Sequence, residues 1–279
     1  MQTIRTISAL HAAMAALRHD HGRVAFVPTM GALHEGHLTL VREAKRKADH
    51  VVASIFVNPK QFGPNEDLAA YPRREAEDSA ALMQEGVSLL WLPPVEVMYP
   101  ERHATTISVG GLDAVLCGAA RSGHFDGVAT VVAKLFNQVA ADVALFGEKD
   151  WQQLAIIRRM ASDLDFALEI VGVPTVRESD GLAMSSRNAY LTADQRAAAV
   201  VLPATLVDAA ERLAGRAEAA PVLEDAKAAI LAGGFASIDY LDLRDGASLA
   251  ALDRAEAGAR LFVAARIGST RLIDNIPVS

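Results

Sequence analysis

From residue 1 to about 175 the chain sets short β-branched apolar runs against longer stretches whose apolar residues recur at helical spacing. The runs VAFVPT (24–29), HVVASIFVN (50–58), VSLLWLP (87–93), ADVALFG (141–147) and ALEIVGVP (167–174) are largely continuous rather than alternating. Such runs suit strands buried on both faces, as in a parallel sheet covered by helices. Helical stretches lie between them: SALHAAMAALRHD with Ser8 as N-cap, HLTLVREAKRKA, REAEDSAALMQEG ending at Gly86, VATVVAKLFNQV and DWQQLAIIRRMASDL. The alternation predicts an α/β fold, a Rossmann-like doubly wound parallel sheet. Ligands of such sheets bind outside the carboxyl ends of the strands, where the strand order reverses.

After about residue 190 the pattern changes. Two alanine-rich helical stretches, TADQRAAAVVLPATLVDAAERLAG and APVLEDAKAAILAGG, precede three strand-like runs, SIDYLDLRDG, ARLFVAARIG and TRLIDNIPV. These predict a second, smaller α+β C-terminal domain. The division is expected between 1–175 and 176–279, through the polar stretch VRESDGLAMSSRNAYL, which has no strong period.

Composition narrows the classes. Of the 279 residues, 51% are hydrophobic and 22% charged, which fits a globular chain and argues against disorder. A formal net charge of -7 disfavours a general nucleic-acid or membrane-surface binder. No apolar run reaches the roughly 18 residues of a membrane span, and the N-terminus has no secretory pattern. A single cysteine, Cys117, excludes an internal disulfide and any multi-cysteine metal site, and fits a cytoplasmic location. Its simplest reading is a small residue near a turn.

Four polar clusters sit at element boundaries. In VAFVPTMGALHEGHLTL the segment MGALHEG forms the turn between strand and helix, so His37 falls in or near the first helical turn. Free backbone amides and the helix dipole there favour an anion such as phosphate. Gly31 and Gly36 allow close approach, and His34 and His37, three apart, can point the same way. The two histidines could equally be solvated or capping. In FVNPKQF, Asn58 and Gln61 can orient a hydroxy acid, or belong to an ordinary Asn-Pro turn. In LFGEKDWQQ, Lys149 can meet a phosphate and Asp150 a ribose hydroxyl, with Gln153 a turn later; Asp150 as a plain N-cap is the rival. In AMSSRN, two serines and Arg187 suit phosphate oxygens, although the stretch alone could be a plain loop. Together they offer cations, imidazoles and amides but no nucleophile and base pair. That inventory favours stabilising charge at phosphorus, hence nucleotidyl transfer.

With these residues placed, the sequence resembles the pantothenate synthetase (pantoate-beta-alanine ligase) family of the HIGH-type nucleotidyltransferase superfamily. PTMGALHEGH, FVNPKQF, YPR, GHFDGV, FGEKDWQQ, MSSRN and YLT occur in the family's order along nearly the whole chain. Ser122 stands where the family has proline, and Trp151 where tyrosine or phenylalanine is commoner. The resemblance implies ATP-dependent adenylation of the carboxylate of (R)-pantoate, then displacement of AMP by the amine of beta-alanine to give pantothenate. It implies that the ATP site comprises Met30, Gly31, Ala32, Leu33, His34, Glu35, Gly36, His37, Gly147, Glu148, Lys149, Asp150, Val176, Met184, Ser185, Ser186 and Arg187. His34, His37, Lys149 and Arg187 would act on the phosphates, His37 as proton donor. Gln61 and Gln153, with Asn58, would hold pantoate. Arg121 and His124 would reach the triphosphate or the amine. Mg2+ is implied with ATP; its protein contacts are unassigned, since an acidic residue such as Asp78 could equally cap or solvate a helix. A homodimer and a closing C-terminal lid are also implied. An adenylyltransferase acting on a phosphate, or a nucleotide sensor without turnover, are the rival readings.

Overall fold

The computed structural model describes every residue except Asp20, Asn65, Asp67 and Ser279. Its first half alternates as the pattern predicts: β1 (Gln2–Ile4), α1 (Ile7–Leu17), β2 (Val24–Thr29), α2 (Glu35–Lys47), β3 (His50–Ile55), α3 (Glu75–Gln84), β4 (Leu89–Trp91), α4 (Val95–Met98), α5 (Leu116–Ala120), α6 (His124–Val139), β5 (Val143–Gly147), α7 (Trp151–Asp163) and β6 (Glu169–Val173). The six strands form one parallel sheet in the order β1-β4-β3-β2-β5-β6. The order reverses at β2, which pairs with β3 along its whole length and with β5 through Ala25 and Phe26. The carboxyl ends of these three strands, Thr29, Ile55 and Gly147, therefore flank the switch point.

The inner strands β2, β3, β4 and β5 are buried on both faces, which is why they read as continuous apolar runs. Val24 and Phe26 of β2 face α1, α6 and α7 through Leu10, Val128, Phe136 and Ile157. The alternate residues Ala25 and Val27 face α2 and α3 through Leu40, Val41 and Leu82. The second half comprises α8 (Ala193–Ala198), α9 (Val201–Ala214), α10 (Ala219–Ala232), β7 (Ser237–Asp245), β8 (Ala259–Ile267) and β9 (Thr270–Pro277). Its strands form an antiparallel sheet whose apolar face, including Leu243, Leu261 and Val263, packs on α9 and α10.

The differences from expectation are local. Thr6, not Ser8, caps α1, its hydroxyl accepting from the Ala9 amide, and Ser8 lies inside the helix. β1, three residues long, falls below the length at which a pattern shows. The first alanine-rich stretch is two helices, because Pro203 has no amide to continue the ladder and is tolerated only in the first turn of α9. Helix α6 begins at His124, four residues before the apolar run.

That early start brings Gly127 against the short 3-10 turn Pro59–Gln61 that follows β3. A Cβ on Gly127 would lie 2.3 Å from the Lys60 carbonyl oxygen and 2.8 Å from the Gln61 nitrogen. The approach is backbone to backbone and only glycine permits it. Gly127→Ala is expected to lower the unfolding free energy by about 3 kcal/mol, the upper end of ordinary overpacking costs. Chemical denaturation checks this, and an unchanged midpoint would contradict the close approach.

Candidate active site

The chain leaves β2 through Met30 and turns at Gly31 (φ 85°) and Ala32 (φ 51°). The amides of Ala32 and Leu33 each donate to a different oxygen of Asp78, both at 2.8 Å. Asp78 lies early in α3 and is 4% exposed. Consecutive amides turned to one side form an anion-binding nest. Here the nest that the sequence suggests for phosphate is filled by the chain's own carboxylate. A Cβ on Gly31 would come within 3.0 Å of that carboxylate, so glycine fits this turn twice over, by space and by φ.

Beyond the nest the chain enters α2 with His34 as N-cap. The His34 Nδ1 accepts from the Gly36 amide at 3.1 Å, and the His37 Nδ1 accepts from the His34 amide at 3.3 Å. This is a capping box made by two imidazoles, with ring centroids 4.1 Å apart. An Nδ1 that accepts an amide hydrogen carries none, so each neutral ring is protonated at Nε2. A Cβ on Gly36 would lie 2.9 Å from the His34 ring, so glycine makes room for this cap. Burial, then the charge of Lys149, lowers the His34 pKa to about 4. Burial, then His34 itself, lowers that of His37 to about 3. At neutral pH both rings are uncharged hydrogen-bond donors.

The carboxyl end of β3 supplies the amides. Asn58 is 1% exposed and fully engaged. Its Nδ2 donates to Gln61 Oε1 and to the Gly127 carbonyl, both at 3.0 Å, while its Oδ1 accepts from the Tyr99 hydroxyl at 2.7 Å and the Lys60 amide at 3.3 Å. Asn58 thus orients Gln61, whose Nε2 points to the Met30 sulfur at 2.9 Å. The Arg121 guanidinium clasps Glu66 at 2.5 and 2.7 Å, holding that carboxyl below its usual range, and approaches His124 Nε2 at 2.8 Å. With Arg121 donating to Nε2, His124 carries its hydrogen on Nδ1 and donates to the Gln61 carbonyl at 2.8 Å. Burial, then Arg121, lowers its pKa to about 4.

At the end of β5, Lys149 and Asp150 face the same space, their charged groups 4.0 Å apart. Asp150 occupies the N-cap position of α7 without making a side-chain cap, so the capping alternative is not realised. Glu148 turns away, toward Arg260 at 3.8 Å. The junction segment returns at Val176, whose carbonyl accepts from the Met184 amide at 3.0 Å, and Ser185 Oγ accepts from the Arg187 amide at 3.2 Å.

These groups enclose a cavity of about 250 Å³. Its lining includes Met30 and Gly36 with the polar side chains of His34, His37, Lys149, Asp150, Ser185, Ser186 and Arg187. The lining also includes Val128, Val131, Val132, Leu135 and Phe146, together with Asn58, Gln61 and Gln153. A second cavity of about 540 Å³ shares Arg121, His124, Lys149, Asp150, Gln153, Ser185 and Arg187 with the first. Among the described residues no group of three or more His, Cys, Asp or Glu is placed to hold a metal ion, and no helix is long and apolar enough to cross a membrane.

Residues 2–277 match the family described as pantoate-beta-alanine ligase. The chain belongs to that family. Among curated relatives, the pantothenate synthetases of Sphingopyxis alaskensis and Novosphingobium aromaticivorans are 64% and 62% identical, with full coverage of this chain and 100% and 99% of theirs. The solved pantothenate synthetase of Thermus thermophilus superposes with a TM-score of 0.94 at 50% identity, over 100% of this chain and 99% of that one. The Francisella tularensis pantoate-beta-alanine ligase, solved with beta-gamma ATP and beta-alanine, gives 0.84 at 32% identity, over 99% and 97%.

For this member of the family, the fold gathers most of the residues that the motifs suggested and redirects a few. Gly31, Ala32, Leu33, Glu35 and Glu148 do not line the cavity. The first three shape the nest around Asp78, and Glu35 pairs with Arg42 on the outside of α2. Asp78, weighed for Mg2+, has both oxygens committed to amides. Tyr99, Arg177 and Asn275 went unnoticed in the sequence. Each acts across more than 40 positions, and no local pattern marks such a contact.

Nitrogen-15 spectra at pH 7 should show His34 and His37 neutral with the hydrogen on Nε2, and no titration of either near 6.5. Because the unfolded histidines titrate near their ordinary value and the folded ones near 4 and 3, the unfolded chain binds more protons between. Their contribution is fully present above pH 6.5 and is lost as pH falls toward 4. A ring titrating near 6.5 in the folded protein would contradict the capping geometry.

Proposed function

We propose that this chain condenses pantoate with beta-alanine at the expense of ATP, through a pantoyl-adenylate, releasing AMP and pyrophosphate. The observation that carries this reading is one cavity lined by two neutral imidazole donors, Lys149 and the valines of α6, at the switch point of the sheet. The cavity offers donors for phosphate and an apolar surface for the two methyl groups of pantoate. Gln61 and Gln153 line the same cavity, where they can hold its hydroxyls and carboxylate.

In the first step a pantoate carboxylate oxygen attacks the α-phosphorus, and the bond to the bridging oxygen of pyrophosphate breaks. Negative charge grows on the phosphate oxygens. The Nε2–H groups of His34 and His37 donate to them without first giving up a proton, and Lys149 and Arg187 balance their charge. In the second step the amine of beta-alanine attacks the acyl carbon, AMP leaves, and the amine loses a proton. The acyl-adenylate is already activated, so no protein nucleophile is required; the site must align the reactants and exclude water.

Mg2+ suits this cavity as a companion of the nucleotide, since Mg2+ is commonly held by substrate phosphates and one or two carboxylates. Asp150, a carboxylate on the cavity wall with no cap to make, is the group that would hold it. When bound, Mg2+ would neutralise charge on the triphosphate. The division into domains at 1–175 and 176–279, with the latter closing as a lid through Met184–Arg187, belongs to the same proposal. It is supported by the small sheet having its own main apolar core on α9 and α10, with Tyr240, Ile273 and Phe262 on its other face packed toward the first part of the chain. The family likeness carries with it a homodimer and a cytoplasmic location, the latter in keeping with a single buried cysteine.

Release of AMP and pyrophosphate should require both pantoate and beta-alanine. His37→Ala should lower kcat/KM by about 10² to 10³, the usual effect of removing one donor to developing charge. Undiminished turnover in that variant would remove His37 from the reaction.

A further inference from the structure

Two adjacent residues of β9, which line the second cavity, hold segments that wall the reaction cavity. Asp274, whose side chain is 1% exposed, receives both guanidinium nitrogens of Arg177, at 2.7 and 3.0 Å. Arg177 follows Val176 and bridges to Ala183, so this ion pair fixes the hairpin that carries Val176 and Met184 into the cavity wall. Asn275, 2% exposed, reaches the turn that carries Lys149. Its Nδ2 donates to the carbonyls of Glu148 and Lys149, both at 2.9 Å, and its Oδ1 accepts from Arg260 Nε at 2.9 Å. The orientation of the amide is determined by its neighbours, since two carbonyls face one end and a guanidinium the other. Arg260 in turn stacks on the ring of Trp151, 3.6 Å from its centroid, directly after the turn that presents Lys149.

Ordinary packing between two layers would not need this chemistry. An apolar contact holds layers together with little regard for direction, whereas two hydrogen bonds to consecutive carbonyls fix the orientation of the peptide units on either side of the Lys149 Cα. The direction in which Lys149 leaves the backbone depends on those units. A cation that balances charge in a transition state must be held close to its productive position, and a 1 Å displacement can cost about 10² in rate.

We propose that Asn275 is a positioning residue for Lys149, so that the C-terminal sheet aims a cation at the transferring phosphate. The proposal rests on the adenylation reading above. Asn275 touches no substrate; it acts through the Glu148 and Lys149 carbonyls. Movement of the small sheet would either carry the Lys149 turn with it or break these two bonds, which ties closure to the aim of the cation.

The test compares four chains in pantoate-dependent ATP–pyrophosphate exchange, with kcat and KM for ATP and pantoate taken separately. They are the wild type, Asn275→Asp, Asn275→Ala and Leu243→Ala. Asn275→Asp keeps the acceptor for Arg260 but sets a carboxylate oxygen against two carbonyls. Leu243→Ala truncates the core of the small sheet and leaves the Lys149 turn untouched. The expected result is a kcat lower by roughly 10² in Asn275→Asp and roughly 10 in Asn275→Ala, with KM for pantoate within about threefold. Leu243→Ala should keep kcat within about threefold below its own melting range. A folded Asn275→Asp with kcat within threefold of wild type would overturn the proposal, as would an equal loss of kcat in Leu243→Ala. Should Asn275→Asp fail to fold, Asn275→Ala supplies the reading, and failure of both would assign Asn275 a structural role only. A wild type without exchange would reject the adenylation reading itself, which separates that failure from this one.

Discussion

The carboxylate of Asp78 sets the geometry from which the site is built. By accepting two consecutive amides it holds the chain between β2 and α2 in a left-handed bend that Gly31 allows and Ala32 tolerates. The bend delivers His34 to the N-cap of α2, where it and His37 satisfy the amides of the helix end. A helix N-terminus ordinarily offers its amides to an anion. Here two imidazoles take up amides at that end, and each ring is left with its Nε2 hydrogen to offer. The donor presented to a ligand is then a neutral side chain in a buried place, and burial keeps it neutral.

The same logic of local commitment runs through the rest of the cavity. Asn58 carries four hydrogen-bonding contacts and has no capacity left for a substrate; its effect is the orientation of Gln61. That arrangement depends on α6 approaching the Pro59–Gln61 turn at backbone distance, which Gly127 permits. Glu66, Arg121 and His124 form a further chain ending on the Gln61 carbonyl. Polar groups supporting one another in a low-dielectric setting are held more rigidly than isolated ones. Rigidity is what an enzyme needs when its chemistry is alignment rather than covalent attack.

Much of this was legible in the sequence. Continuous apolar runs identified the buried parallel strands, and the rule that ligands lie beyond their carboxyl ends located the site before any motif was considered. His34, His37, Lys149, Gln153 and Arg187 meet at one cavity, as their positions after strands and at the junction suggested. The two readings of the histidine pair, capping or ligand-facing, proved compatible, because Nδ1 caps while the rings line the cavity. What escaped were long-range partners. The meeting of Asp78 with Ala32 depends on how α3 packs over the sheet, and that of Asn275 with Lys149 on how one sheet docks on the other. A window of sequence holds one partner only.

With the His34 and Gly36 amides capped by the two imidazoles and the Ala32 and Leu33 amides held by Asp78, the Nε2–H groups rather than the loop amides are the donors left for a phosphate. A crystal structure with a non-hydrolysable pantoyl-adenylate analogue and pyrophosphate tests it most directly. Phosphate oxygens are expected within hydrogen-bond distance of His34 and His37 Nε2, with the Asp78 contacts to Ala32 and Leu33 intact. Phosphate seated on the Ala32 and Leu33 amides, with Asp78 displaced, would contradict it.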